Sequence, residues 1–434
     1  MLTYYLELGS RGLRHNFVLT ALMILAIAMG VAASMTVLTA LRDLSADPIP
    51  AKAHQLYSVR IDNWGPGAPN NAALSDLVSY PDAVELMRAR AAPRQSAMYE
   101  VQFTAVPEGA DLSPIALTGR AVSADFFGMF DAPMASGRAW SRSEDDSRAD
   151  VVVLGATAAT RLFPGADAVG KAVTLDGRDY RVVGVLRPWH LQPRVYDLST
   201  RLFQETEDVF LPFTTAVGAA METRGGIYCA QQITPGFDHE MHSECRWLQF
   251  WVQLPTDVAV RSYRAFLDRY AGQQRRTGRF HWLPTVSLLD VEETLEAEHM
   301  VPNEMRICTV AAFGFLLVCL VNATGLMLSR LRQRVAEFSV RRALGAGRLQ
   351  IFAQCVAEGI MIGVAGGLLG LALTMLGLAF ERAILREDYA HLIHLDPQMA
   401  GTTFALAVAA MLLAALFPGW NATRGLPAWH LRQN

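Results

Sequence analysis

Residues 17–41 read FVLTALMILAIAMGVAASMTVLTAL, with no charge and no proline. About 20 apolar residues suffice to carry a helix across a bilayer, so this stretch places the chain among membrane proteins. It is too long for a signal-peptide core and no clean cleavage site follows it, so it reads as a retained anchor. Three further stretches meet the same test: 307–328 (ICTVAAFGFLLVCLVNATGLML), 351 to about 380 with Gln354 and Glu358 near its start, and 400–417, which Pro418 is expected to close. Of the 434 residues, 52% are hydrophobic and 18% charged, against about 25% charged in a soluble domain. The apolar excess lies near the N-terminus and after residue 306; the middle has the composition of a water-soluble domain. A net charge of -3 gives no argument for nucleic acid as a partner.

Lysine and arginine at span ends set orientation. Between spans two and three stand Arg330, Arg332, Arg334, Arg341, Arg342 and Arg348; the N-terminal segment has Arg11 and Arg14, and the tail Arg424 and Arg432. The flank before span two is acidic (Glu292, Glu293, Glu296, Glu298), and between spans three and four it is mixed. Both termini and the arginine-rich segment are therefore expected in the cytosol, and residues from about 43 to 305 outside, with Arg42 the one dissenting charge. Gly359, Gly363 and Gly367 recur every four residues in span three, beside Gly366 and Gly370; small residues at that spacing let helix backbones approach closely. Glu358 lies about 10 Å into the span by helical rise, where a charge pairs with a loop arginine or takes part in a conformational change.

The expected fold is an α-helical membrane protein with four transmembrane helices and a large α+β extracytoplasmic domain between helices 1 and 2. In that domain 55–61 reads as a strand and 81–90 as a helix capped by Ser79. Residues 151–154 form a short buried strand. Residues 171–186 form a hairpin, because Asp176-Gly177 suits a type I′ turn. Residues 250–254 are a strand and 258–270 a helix. Residues 286–299 read as a helix leading into span two. That helix and the end of span one, through Leu38, Leu41 and Leu44, are expected to be stalks. Phe126, Phe127, Met129 and Phe130 form an apolar cluster expected in the core. Of the five cysteines, Cys308, Cys319 and Cys355 fall in spans as small apolar side chains. Cys229 and Cys245 fall in the oxidising compartment and form a candidate disulfide.

Two motifs are set aside. GADAVGK (165–171) fits the first positions of a phosphate-binding loop, but Ala172 supplies no hydroxyl for magnesium and the loop leads into a strand. His239, Glu240, His242, Glu244 and Cys245 lack the HExxH spacing and a second pair of ligands, so no metal site is expected. No nucleophile has a recognisable setting, and no catalytic residue is assigned.

Residues 322–370 resemble the core of the MacB/FtsX-type permease family: Glu337, Arg341, Arg342, Ala343, Leu344, Gly345 and Ala346 look like its "E…RRALGA" motif. The ending Phe417-Pro418-Gly419-Trp420, Ala422, Arg424 and Leu431-Arg432 resembles the family's "P-x-W-x-A-x-R…LR", with Gly419 where a small residue such as alanine is usual. Residues 126–138 and 151–186 resemble the MacB-like periplasmic core domain, while 225–246 match nothing recognised. The resemblance implies an amphipathic cytosolic-face helix at 1–16, transmembrane helix 1 and stalk at 17–44, and a periplasmic domain at 45–300. That domain would be porter-like at about 53–118 and 247–285 and Sabre-like at about 119–246. Transmembrane helix 2 would cover 301–329, a cytosolic coupling segment 330–349, helices 3 and 4 residues 350–380 and 400–418, and a cytosolic tail 419–434. With Gly345 able to end it in the left-handed conformation, the basic helix 329–344 resembles the coupling helix that sits in the ATPase groove.

With no fused nucleotide-binding domain, the resemblance implies a separate ABC ATPase subunit that holds ATP and magnesium, and no cofactor on this chain. It implies a multi-pass protein of the inner membrane, in contact with lipid, paired with a second permease copy or a related permease. A periplasmic adaptor and outer-membrane channel are further implied partners. The leading function is mechanotransmission that drives export of a peptide, toxin, antibiotic or similar compound. The alternatives are a lipoprotein-releasing permease like LolC/LolE and an FtsX-like signalling subunit controlling a cell-wall hydrolase.

Overall fold

A computed structural model of the chain describes residues 17–45, 48–65, 76–106, 113–198, 206–231, 233–282, 284–298, 303–335, 339–340, 343–345, 347–384 and 397–424. The chain divides into two units, one of Met1–Ser45 with Val301–Asn434 and one of Ala46–Met300. The expected helix at 1–16 lies outside the described residues.

In the first unit four helices are long and apolar enough to cross a membrane. They run Phe17–Ser45, Asn303–Gln333, Arg348–Ile384 and Pro397–Arg424, here the first to fourth spans. Met23, Ile27, Val31 and Met35 lie four residues apart on one face of the first span. They pack with Ala323 and Met327 of the second, Ile362 of the third and Met411 of the fourth. The first span's opposite face leaves Val18, Leu22, Leu25 and Met29 exposed, as a helix bathed in lipid requires.

Two expectations are corrected here. Pro418 does not close the fourth span, whose helix continues to Arg424. A proline removes one backbone hydrogen bond, but packing holds the helix past it: a Cβ at Gly419 would lie 3.3 Å from Phe352 and 3.4 Å from Cys355 of the third span. Nor does a separate basic helix start at Ser329. Ser329 to Gln333 continue the second span, since no breaker intervenes and Arg330 finds its counter-charge inside the bundle.

The second unit runs β1 (Leu56–Ile61), β2 (Leu77–Ser79), α1 (Tyr80–Ala89), β3 (Arg94–Ala105), β4 (Ile115–Val122), α2 (Phe126–Met129), β5 (Met134–Gly137), α3 (Arg142–Asp146), β6 (Val151–Leu154), α4 (Ala156–Leu162), β7 (Ala172–Leu175), β8 (Arg178–Leu186), β9 (Val209–Pro212), α5 (Phe213–Gly218), α6 (Phe237–Met241), β10 (Arg246–Gln253), α7 (Asp257–Arg276), β11 (Val286–Asp290) and α8 (Val291–Ala297). The strands form a single mixed sheet in the order β11-β1-β10-β3-β4-β9-β6-β8-β5, with β2 on β10 and β7 on β3 and β8. Successive side chains of a strand face opposite sides: Phe250 and Val252 of β10 enter one core and Trp251 the other. The sheet runs unbroken across residues 118 and 119, which both lie in β4.

Local signals act as their chemistry dictates. Ser79 caps α1, its hydroxyl accepting from the Asp82 amide, and Arg90 ends that helix at φ 46°. Asp176 and Gly177 turn the β7–β8 hairpin at φ 47° and 81°, the paired positive values of a type I′ turn. Phe126, Phe127, Met129 and Phe130 are all buried, the Phe126 ring meeting Phe210 and Tyr196. The helix expected over 286–299 is corrected: Val286–Asp290 is a strand, antiparallel to β1 from Tyr57↔Asp290 to Ile61↔Val286. Only Val291–Ala297 is helical, started by a capping box between Asp290 and Glu293. The open edge of β1, a non-local feature, selects the strand.

Candidate coupling segment and charge clusters

The segment joining the second and third spans is partly described: Glu337, Arg341, Arg342 and Ala346 lie outside the described residues. Ala343 is exposed, and so are the large apolar side chains Val340 (60%), Leu344 (84%) and Leu349 (79%). The Leu344 amide donates to the Val340 carbonyl at 3.0 Å. Gly345 follows at φ +100°, a conformation that side chains other than glycine rarely adopt, and it turns the chain. The Gly347 amide then donates to Gln350 Oε1 at 3.1 Å, capping the start of the third span.

Directly inside the span ends sits a charge cluster. Glu358 is 1% exposed. Arg334 Nη1 donates to its Oε1 at 2.8 Å, and Gln354 Nε2 to the same oxygen at 3.4 Å. Arg330 Nη2 lies 3.6 Å from Oε2. The second and third spans are thus tied by one carboxylate between two guanidiniums. Sequence reasoning anticipated a loop arginine as the partner; Arg330 and Arg334 fill that role from the end of the second-span helix.

The glycine face of the third span has named partners. A Cβ at Gly359 would lie 2.8 Å from Ala415, one at Gly363 3.1 Å from Met411, and one at Gly367 3.0 Å from Phe404, all in the fourth span. Gly366 and Gly370 face the first span instead, at Ile27 and Ala28. Overpacking a tight contact costs about 1–3 kcal/mol. Gly359→Val is therefore expected to lower the heat-induced aggregation midpoint of the detergent-purified protein. Gly314→Ala in the second span, where nothing lies within 4 Å, is expected to leave it unchanged. Equal midpoints for the two variants would refute the face.

In the outer unit a second cluster is fully buried, and sequence reasoning missed it. Arg120 of β4 donates to both Glu207 and Asp197. Arg194 Nη1 reaches Glu207 at 3.0 Å, the Tyr196 hydroxyl donates to Glu207 at 2.9 Å, and Gln249 Nε2 donates to Asp197 at 2.9 Å. Burial alone would push the Glu207 carboxyl up, but Arg120 and Arg194 hold it below the usual carboxylate range. The nearby Glu100 carboxyl is pushed up by burial.

Cys229 and Cys245 are joined in a disulfide, 16 residues apart in sequence, a loop whose closure is worth about 3 kcal/mol in chain entropy. The loop end is pinned further: Arg279 donates to both Glu244 oxygens at 2.6 and 2.8 Å, and Asn63 Nδ2 to Glu244 Oε2 at 2.9 Å. Of the HEMHSEC residues, Glu244 and Cys245 are thus committed elsewhere, and the His242 ring pairs with Asp238. Among the described residues no three His, Cys, Asp or Glu side chains are grouped to hold a metal ion. Residues 165–171 form a turn leading into β7.

Four packed apolar helices and a large α/β domain inserted after the first define a polytopic membrane protein of permease type. The chain belongs to the MacB-like periplasmic core domain family, whose model it matches over residues 20–268, more than half its length. Residues 309–427 match the FtsX-like permease C-terminal domain. The chain is 27% identical over 372 residues to the macrolide export ATP-binding/permease protein MacB of Azoarcus sp. (strain BH72), covering 83% of this chain and 50% of that protein. It is 22% identical over 427 residues to the protein of the same description from Escherichia coli (strain K12), covering 96% and 59%. The chain therefore spans between half and three-fifths of the length of these curated relatives. The crystal structure of the periplasmic region of MacB from Actinobacillus actinomycetemcomitans aligns at a TM-score of 0.36 and 16% identity, covering 57% of this chain and 94% of that one. The extracellular domain of the ABC-type transporter YknZ from Gram-positive bacteria aligns at 0.34 and 12%, covering 53% and 98%.

Proposed function

We propose that the chain is the permease subunit of a MacB-type ABC transporter. In this reading a separate ATPase binds the segment between the second and third spans, and its ATP cycle reshapes the outer domain to drive export of a peptide, toxin, antibiotic or similar compound. The observation that carries it is the exposure of Val340, Leu344 and Leu349 in a segment rich in arginine. Large apolar side chains held out beside cations mark a docking surface. The positive-inside rule favours a cytosolic position for this arginine-rich segment, and the disulfide favours a periplasmic one for the large domain. Curated relatives described as macrolide export ATP-binding/permease proteins support the class of work. The lipoprotein-releasing alternative calls for an exposed apolar hook, and Phe126, Phe127, Met129 and Phe130 are core.

The test is mild-detergent purification of the tagged chain from its native cells, with mass spectrometry of what accompanies it. Recovery of an ABC ATPase is expected, and its loss when Leu344 and Leu349 are replaced by aspartate. Repeated recovery without an ATPase, under conditions that keep a known transporter intact, would sink the proposal. A co-purified adaptor, as against a cell-wall hydrolase, distinguishes export from signalling.

A further inference from the structure

The chain that carries Val340 and Leu344 leaves the second span through a break in the helix. The span runs to Gln333. Arg334 forms a turn, its amide donating to the Leu331 carbonyl three residues back at 3.1 Å, the tightened last turn that often ends a helix. Helical backbone resumes at Val335, whose carbonyl accepts from the Ser339 hydroxyl at 2.9 Å. At the far end Gly345 turns the chain, and Gln350 caps the Gly347 amide. The segment is therefore hinged at Arg334 and again at Gly345 to Gly347. Positions at the ends of elements are where a chain absorbs a change of direction.

The first hinge is pinned to the neighbouring helix. Arg334 Nη1 donates to Glu358 Oε1 at 2.8 Å, and Gln354 Nε2, one turn before Glu358, reaches the same oxygen at 3.4 Å. Ile351, Gln354, Cys355 and Glu358 are all buried and follow the i, i+3, i+4, i+7 spacing of one helix face. Leu331, at the end of the second span, joins Ile351 and Cys355 in the apolar cluster of the bundle.

The two arginines at Glu358 act differently. Arg330 lies inside regular helix, and its Nη2 is 3.6 Å from Glu358 Oε2, an ion pair too long for a hydrogen bond. It balances charge but does not direct the chain beyond Gln333. Arg334 stands at the break itself, where a charge-assisted hydrogen bond supplies direction as well as attraction. A buried ion pair adds little net stability over an apolar replacement, so stability alone does not account for a carboxylate at this place.

We propose that Glu358 is a positioning residue: through Arg334 it sets the direction in which the chain leaves the second span, and so holds Val340 and Leu344 where the ATPase docks. Arg330 serves stability, and Arg334 serves presentation. The inference rests on the transport reading for the partner that docks; the positioning itself is measured on the chain alone.

The full chain in detergent, with the exposed Cys308 replaced by serine, carries spin labels at Leu344→Cys and Gly401→Cys. Gly401 is in the fourth span with nothing within 4 Å of it, and Cys319 and Cys355 are buried. Double electron–electron resonance reads the distance between the labels. A narrow distribution is expected, broadened in Arg334→Gln and in Glu358→Gln, partly restored in Arg334→Lys, and unchanged in Arg330→Met. Gly363→Val, which overpacks the third span against Met411, is expected to lower the aggregation midpoint and leave the distribution narrow. Where Glu358→Gln fails to fold, Arg334→Gln, at a residue 14% exposed, carries the test.

The same substitutions without labels are scored for co-purified ATPase. A docking orientation reduced to about a tenth of the population weakens apparent affinity about ten-fold. That loss is expected in Arg334→Gln and in Glu358→Gln, although Glu358 is too buried to touch a partner, and not in Arg330→Met or Gly363→Val. A distribution unchanged in Arg334→Gln and Glu358→Gln overturns the proposal whatever the ATPase does. Equal broadening in Gly363→Val also overturns it, as a mere consequence of lost stability. Undiminished ATPase recovery from Arg334→Gln overturns it and leaves the transport reading standing. No ATPase from the wild type, with the distribution still broadened in Arg334→Gln, removes the transport reading and leaves Glu358 as the residue that sets the hinge.

Discussion

Glu207→Ala is expected to cost the outer unit about 3–5 kcal/mol, the range for breaking a buried ion pair from one side. The alanine takes one carboxylate from Arg120, which is fully buried, and from Arg194, with 2% of its side chain exposed. Tyr196 loses its hydroxyl acceptor as well. Arg120 then keeps Asp197 and Gln249 but, among the described residues, no second carboxylate, and it has no path to water. The loss reflects stranded charge, not a large net worth of the pairs, since an apolar replacement of a whole buried ion pair is often close to neutral. Arg120→Met with Glu207→Leu should therefore cost markedly less than Glu207→Ala alone. Denaturant unfolding of the purified chain, followed by tryptophan fluorescence, measures both. A Glu207→Ala shift below about 1 kcal/mol, typical of an exposed pair, would mean that the cluster is open to water.

The same cluster sets a pH dependence with a definite sign. The folded Glu207 carboxyl is held below its unfolded value of 4.5. Its contribution is therefore fully present above that value and is lost as pH falls through the depressed folded value. The stability difference between the wild type and Glu207→Ala should be constant at neutral pH and shrink below about pH 4.5.

Glu358→Ala is expected to have a comparable effect on the membrane unit. Arg330, with 1% of its side chain exposed, would lose the one carboxylate within ion-pair distance of it among the described residues. Arg334, 14% exposed, is able to snorkel toward the interface, so most of the cost falls on Arg330. A loss of about 3–5 kcal/mol should appear as a lower heat-induced aggregation midpoint in detergent. Arg330→Met with Glu358→Met removes the stranded pair and should recover most of it. If the double variant is no better than Glu358→Ala, the carboxylate is there for something other than Arg330.

What the sequence made legible was local. Charge-free stretches of span length, the Asp176-Gly177 turn and the Ser79 cap each carry their instruction within a few residues. What escaped was decided at a distance. Residues 286–290 (VSLLD) suit a helix or a strand, and the free edge of β1 chooses. Pro418 reads as a stop until Gly419 is seen docked on Phe352 and Cys355. The glycine spacing announced a contact but not its partner, the fourth span. Arg120, Arg194, Asp197 and Glu207 are ordinary surface residues in the sequence, and only the pairing of β4 with β9 brings Arg120 against a segment some 80 positions away.

β4 is paired to β3 over eight residues and to β9 over four, and it belongs to both halves of the outer unit. Because one strand carries both ladders, a change of twist at β3 passes to β9 through β4 itself. The path from β11 to β5 crosses nine strands, roughly 40 Å at about 4.8 Å per strand. The soft motion of such a plate is a change of twist: about one degree more at each of its eight seams turns the far margin by about eight degrees. The wider the sheet, the further its margin turns for the same change at each seam.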